Sequence, residues 1–316
     1  MGISQYIKEI GRGARGAKPL GREQAHDLFG QVLDGTVTDL EIGAFCLAMR
    51  IKGETPEELA GFLDATHERL QRFPATDRPL VVLPSYNGAR RLPVLTPLLA
   101  LLLAREGLPV LVHGTATESS RVLASNVLAA LGVQPLEAVR PVNGGEVVFA
   151  PTGLLCPGLK RLLEVRRVVG LRNPGHSVVK LMQPCEGECV VVGSYTHPEY
   201  AQSMAATFAL MGTTALLSRG LEGESAADPR RTAQLDGFVH GRHVALQAQQ
   251  PGTQAEVPGL PTEIDAATTA AYTHRVLAGE APVPEAIAQQ VARIAQLASL
   301  AREERQPRAM YETETE

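Results

Sequence analysis

The sequence predicts an α/β fold: a small N-terminal helical domain, then a large domain with a mostly parallel sheet flanked by helices. Three observations lead there. At 316 residues the chain exceeds one small core. Its first seventy residues carry apolar positions at helical spacing, whereas from residue 80 onward short β-branched runs alternate with helix-length stretches. Between the two, "QRFPATDRP" holds two prolines and reads as a boundary.

The helical domain spans 1–72. "SQYIKEIGRG" has a serine in capping position, Ile3, Ile7 and Ile10 on one side, and glycines to stop it. "GREQAHDLFGQVLDG" sets Ala25, Leu28, Phe29, Val32 and Leu33 in one stripe and ends at Gly35. In "TDLEIGAFCLAMRIKG", Thr38 and Glu41 form a capping box and Gly53 closes the helix. "TPEELAGFLDATHERL" starts at Thr55 with Pro56 in the first turn.

The α/β domain spans 80–302. Strand candidates are 80–83, 108–114, 145–150, 177–182, 188–194 and 213–220. Helices are expected at 97–106, 118–131, 158–168, 198–211 and 263–279, and a last one runs from Pro284 to about Arg302. Strand–helix alternation implies parallel strands with both faces covered. The helix at about 157–168 is expected to join the helical domain, and the acidic end, 303–316, to be disordered.

Composition excludes several functions. An aromatic fraction of 4% with no Trp leaves no platform for stacking single-stranded bases. The longest apolar run, 94–104, is too short to span a bilayer and contains Pro97. No apolar signal-peptide core precedes it, so the expectation is a cytoplasmic protein with no membrane partner. "CEGEC" has three residues between its cysteines and no second pair, which reads as reduced structural thiols with Cys46 and Cys156, not a metal site. Net charge is −4, unevenly placed: residues 88–180 hold eleven Lys/Arg against five Asp/Glu, while 181–316 hold nine against seventeen. A basic middle in an acidic chain suits a protein that meets a polyanion on one face.

Three segments, "YNGARR…T" at 86–96, "VHGTATESS" at 112–120 and "FAP…CPGLKRLLEVRRVVGLR" at 149–172, together with the helical front end, resemble anthranilate phosphoribosyltransferase and its glycosyltransferase family 3 relatives. The resemblance covers roughly 3–300 and implies the class III nucleoside phosphorylase/phosphoribosyltransferase fold and a two-fold homodimer. Dimer contacts through Ile42, Phe45 and Met49 are one expectation, monomer core the other. "IKEIGRG", "RIKGE", "SYNGAR", "RGLEGE" and "ADPRR" look like the YbiB-type branch, whose members the resemblance implies to be DNA-binding.

The transferase must cradle a diphosphate with backbone N–H groups and neutralise it with magnesium. In this chain Ser85, Tyr86, Asn87 and Gly88 occupy the phosphate loop without a carboxylate, with Thr96 retained on the next helix. Of the Lys-His-Gly-Asn-Arg segment, His113, Gly114, Ser119 and Ser120 remain, but Val112, Thr115 and Ala116 replace the rest. The Asp-Glu metal doublet falls on Ser225 and Ala226, with Glu222 and Glu224 nearby as displaced substitutes or plain solvent-facing charges. Arg172 stands at the acceptor position among altered neighbours. Asn87, Gly88, Thr96, His113, Gly114, Ser119 and Arg172 thus read as a vestigial pocket, with no catalytic residue, cofactor or metal expected.

The candidate nucleic-acid contacts are Arg12, Arg15 and Lys18 in a glycine-rich stretch, Arg90 and Arg91 after the loop, Lys160, Arg161, Arg166 and Arg167 on one helix, and Lys180. Duplexes bind such groups by releasing counterions, without aromatic stacking. The expected function is sequence-independent binding of DNA, with RNA as a second ligand. Its rivals are an active transferase that uses phosphoribosyl diphosphate and an unknown acceptor, and a protein-interaction scaffold.

Overall fold

The computed structural model describes residues 2–13, 15–116 and 120–312. Four helices open the chain: α1 (Ser4–Ile10), α2 (Arg22–Asp34), α3 (Asp39–Lys52) and α4 (Pro56–His67). Both expected N-terminal signals are in place. The Thr38 hydroxyl accepts the Glu41 N–H at 3.3 Å and the Glu41 carboxylate takes the Thr38 N–H at 2.9 Å, with the same reciprocal pair at Thr55 and Glu58. In α1 the serine is the first helical residue, not the cap. Ile3 precedes the helix instead, buried, with its N–H on Glu41 at 3.1 Å. Phe29 stacks on Phe62 at 4.6 Å, with Phe45 edge-on at 6.0 Å from Phe62. Phe45 and Met49 are therefore monomer core, both 0% exposed. The large apolar side chains that α3 leaves in solvent are Leu40, Leu47 and Ile51, one stripe at i, i+7 and i+11.

The remaining elements, in order, are β1 (Leu80–Ser85), α5 (Thr96–Arg105), β2 (Val110–Gly114), α6 (Ala124–Ala130), β3 (Val147–Pro151), α7 (Thr152–Leu155), α8 (Pro157–Val169), α9 (Gly175–Val178), β4 (Cys189–Tyr195), α10 (Pro198–Met211), β5 (Ala215–Arg219), β6 (Leu235–Val239), β7 (Arg242–Gln247), α11 (Ala266–Ala278) and α12 (Glu285–Glu312). They form one seven-stranded sheet in the order β3-β2-β1-β4-β5-β6-β7. β1 to β5 pair in parallel, and β6 and β7 add an antiparallel edge.

Several assignments change. Residues 177–182 are not a strand. Asn173 and Pro174 start a helical turn there, with the Gly175 N–H on the Asn173 side chain at 3.0 Å, and the Val178 and Val179 N–H groups bond four residues back. The β6–β7 hairpin was not expected from the sequence. It turns on His240 and Gly241, at φ 47° and 81°, a left-handed pair that matches strand twist. The last helix also runs past Arg302, because Glu303, Glu304 and Arg305 favour helix.

Each strand of the inner sheet sends alternate residues to two cores. Leu80 and Val82 of β1 join α1–α4 and α8 on one face, while Val81 and Leu83 join α5, α11 and α12 on the other. The contact of α8 with α2 is backbone-close: a Cβ at Gly158 would stand 2.1 Å from the Leu33 carbonyl oxygen. All four cysteines are buried free thiols, and burial pushes Cys46 up to about 12. Among the described residues, no helix is long and apolar enough to cross a membrane.

Candidate functional site: a filled phosphate cradle beside an arginine cavity

The chain winds from β1 out to β3, then returns to place β4 on the other side of β1. Loops leaving β1 and β4 therefore diverge, and the crevice between them is where open α/β sheets bind ligands. Ser85 ends β1, and Asn87 and Gly88 turn the chain toward α5. Gly88 sits at φ +67°, and a Cβ there would lie 2.7 Å from the Val122 carbonyl oxygen, so only glycine fits.

The anion in this turn comes from the chain itself. Glu224, 2% exposed, accepts the Ser85 hydroxyl at 2.5 Å, the Asn87 N–H at 2.7 Å, the Gly88 N–H at 2.9 Å and the Thr96 hydroxyl at 3.1 Å. Glu222, in left-handed backbone at φ 52°, accepts the Arg90 and Arg91 N–H groups at 2.6 and 3.3 Å. The reading of these two glutamates as plain solvent-facing charges is thus corrected. The loop between β5 and β6 folds back over the β1 turn, and both carboxylates find donors there.

The other vestigial residues surround the same turn. His113 is fully buried at the end of β2, its Nδ1 2.8 Å from the Tyr86 hydroxyl, which is 2.9 Å from Thr152 Oγ1. Burial pushes His113 down to about 3 and Tyr86 upward, so both are neutral near pH 7 and His113 brings no cation. Gly114 lets β2 approach β1, since a Cβ there would stand 2.0 Å from the Ser85 carbonyl oxygen. Arg172 donates to the Asn87 side-chain oxygen at 2.8 Å, and Arg121 to its carbonyl at 3.2 Å. Lys180 donates to the Gly223 carbonyl at 3.1 Å. Burial and the like charge of Arg172 push it down to about 8, with Glu224 opposing. Ser119 lies outside the described residues.

Two residues further along the chain, the crevice opens into a cavity of about 280 Å³ lined by Arg90, Arg91, Arg219, Arg230 and Arg231 together with Glu222 and Asp228. Asp228 pairs with Arg230 at 2.9 Å and Arg231 at 3.1 Å. Arg90, Arg91 and Arg219 are exposed, and among the described residues their guanidinium groups form no ion pair.

The remaining predicted cations lie apart. Arg12, Arg15 and Lys18 belong to the exposed α1–α2 connection, where Arg12 meets Glu9 at 2.6 Å. On α8, Lys160 stands 3.8 Å from Glu164, and Arg161 donates to the Leu33 carbonyl at 2.8 Å. Arg166 is half-buried, and Arg167 reaches the Ala116 carbonyl at 3.4 Å, bringing the end of α8 to the loop after β2.

The residues present do not suit a magnesium–diphosphate pair. Glu224 is committed to four protein donors, Glu222 to two N–H groups, and Ser225 donates its hydroxyl to the Pro84 carbonyl at 2.7 Å. Among the described residues, no group of three His, Cys, Asp or Glu could hold a metal. The filling of the cradle escaped sequence reasoning, because Glu224 lies 136 residues from Gly88 and no local pattern links them. Only the position, one residue before the expected metal doublet, marked it.

Fold and crevice define a phosphoribosyltransferase-type scaffold, and comparison with known proteins agrees. Residues 4–69 match the glycosyl transferase family helical bundle domain. The chain is 30% identical to anthranilate phosphoribosyltransferase of Desulfosudis oleivorans (strain DSM 6200 / JCM 39069 / Hxd3), over 84% of this chain and 81% of that one. It superposes on the anthranilate phosphoribosyltransferase of Thermus thermophilus with a TM-score of 0.70 at 24% identity, covering 93% and 88% of the two chains. The chain belongs to the anthranilate phosphoribosyltransferase-like superfamily, glycosyltransferase family 3. Within that superfamily it is 39% identical to the uncharacterized protein YbiB of Escherichia coli (strain K12), over 92% of this chain and 93% of the relative.

Proposed function

We propose that the chain binds nucleic acid without regard to sequence, DNA first and RNA second, through Lys/Arg contacts to phosphates on a scaffold no longer used for transfer. The observation that carries this reading is the cavity, where five arginines meet two carboxylates and the guanidinium groups of Arg90, Arg91 and Arg219 form no ion pair among the described residues, while the neighbouring cradle is already filled. Guanidinium groups left open in a crevice attract phosphate oxygens and cost little to pair. Arg166 and Arg167 on α8, with Arg12, Arg15 and Lys18, would extend the contact. The proposed contacts are cationic side chains meeting phosphates, so affinity should follow charge and not base order. The exposed stripe of Leu40, Leu47 and Ile51 supports a two-fold homodimer that doubles the basic surface.

A second reading, transfer of a phosphoribosyl group, is favoured by the names of the relatives. Against it stands Glu224 in the place a diphosphate needs. The deciding experiment is fluorescence anisotropy with several unrelated duplexes across a salt series. Similar affinities, falling steeply with salt, support nucleic-acid binding, and R166E/R167E should weaken all duplexes alike and flatten the slope by roughly 2 units. Absence of duplex binding alongside saturable, magnesium-dependent binding of phosphoribosyl diphosphate would establish the second reading instead.

A further inference from the structure

The donors around Glu224 are those of a phosphate site. Two successive backbone N–H groups, of Asn87 and Gly88, converge with two hydroxyls, of Ser85 and Thr96, on one pair of oxygens. Thr96 opens the ten-residue helix α5, whose N-terminal end favours negative charge. Among the described residues, Glu224 is the carboxylate that reaches all four donors.

The segment that delivers the carboxylate is itself fastened. The Gly223 carbonyl accepts the Asn87 side-chain amide at 2.8 Å, the Ser194 hydroxyl at 3.0 Å and the Lys180 ammonium at 3.1 Å. A Cβ at Gly223, which lies at φ +84°, would meet the Asn87 amide nitrogen at 2.1 Å, so the approach depends on glycine. Leu221 N–H bonds to the Ala226 carbonyl at 2.8 Å, closing the loop on itself. Glu222 repeats the device one turn outward on the N–H groups of Arg90 and Arg91. The two carboxylates that could have turned outward toward a divalent cation instead point inward at hydrogen-bond donors.

We propose that Glu224 is an intramolecular ligand occupying a phosphate-type anion site. In the intact chain it keeps inorganic phosphate and diphosphate out, and removing its carboxylate uncovers a site for them. The inference does not depend on nucleic-acid binding, because the cradle and the arginine cavity hold different donors. It does predict that free diphosphate cannot act on this protein through the β1 turn.

The test compares three full-length chains, with Glu224 intact, E224A and E224Q, each also carrying R90E/R91E/R219E so that the arginine cavity cannot answer for the cradle, using inorganic phosphate and inorganic diphosphate against chloride at matched ionic strength. Thermal melting should rise by about 5 °C for E224A at a hundredfold excess of phosphate over its Kd, while the intact chain and E224Q, whose side chain still fills the space, stay unmoved. The phosphorus resonance of diphosphate should broaden with E224A and remain sharp with the intact chain. Equal shifts in all three proteins, or a folded E224A that responds to neither anion, would overturn the proposal. If E224A cannot be isolated in chloride, recovery of folded protein in phosphate supports the proposal. Failure in both leaves the decision to the intact chain, where a broadened diphosphate line refutes it and a sharp line, with an unmoved E224Q, upholds it.

Discussion

The cradle at Asn87 and Gly88 and the cavity at Arg90 and Arg91 are adjacent stretches of one loop, yet their electrostatics differ in kind. In the first, backbone N–H groups and hydroxyls meet a buried carboxylate from a residue far along the chain. In the second, the Arg90, Arg91 and Arg219 guanidinium groups face solvent and, among the described residues, form no ion pair. The first is expected to contribute stability and little affinity for external anions, the second affinity and little stability. Removing a partner from a buried polar cluster leaves donors unsatisfied, whereas removing an exposed charge leaves only water in its place.

That contrast can be broken in several places. The largest effect should come from E224A, which strands four donors and is expected to lower unfolding stability by roughly 3–5 kcal/mol. Duplex affinity should stay within about twofold, because the variant removes nothing from the outer cavity. A chemical denaturation curve beside an anisotropy titration reads both. The converse variant, R90E/R91E/R219E, should melt within a degree or two of the parent but bind duplexes at least about tenfold more weakly at low salt. If the cavity reversal costs stability and spares affinity, the division of labour is wrong.

Acid should sharpen the contrast from the inside. His113 and His176 are held down to about 3, mainly by burial and, for His176, also by Arg172. Unfolded histidine protonates near 6.5, so below that pH the unfolded chain binds more protons than the folded one. The stability is fully present above pH 6.5 and is lost as pH falls toward 3. Melting temperature should therefore drop steadily from pH 6.5 to 4. A flat profile over that range would mean these rings are reached by water and charge freely. The smallest effect belongs to the surface: L47Q/I51Q on α3 should leave the melting temperature nearly unchanged and shift the sedimentation coefficient toward monomer if this stripe joins two copies.

Much of the fold was legible because its signals are local. Thr38–Glu41 and Thr55–Glu58 are capping boxes within four residues, and LVVL and CVVVGS are buried strands that read as continuous apolar runs. The β6–β7 hairpin was missed because LDGFV and RHVALQ mix charge, glycine and apolar residues, as an antiparallel edge with one wet face allows. SVVKLM was misread because two adjacent valines suit a strand, whereas Asn173 and Pro174 upstream impose a helical turn. For the site, the family resemblance located the turn at 85–88 and the absent metal doublet. It did not reveal where Glu224 points, since that depends on β4 lying beside β1 and β5 beside β4.

A resident group joined to its receptor by covalent bonds does not depend on supply. Because the Gly223 carbonyl is fastened on three sides, the neighbouring carboxylate is held at a high effective concentration, on the order of millimolar or more even for a loosely tethered group. An inhibitor that mimics diphosphate would have to outcompete that tether, so compounds sought against this protein should be aimed at its guanidinium rim.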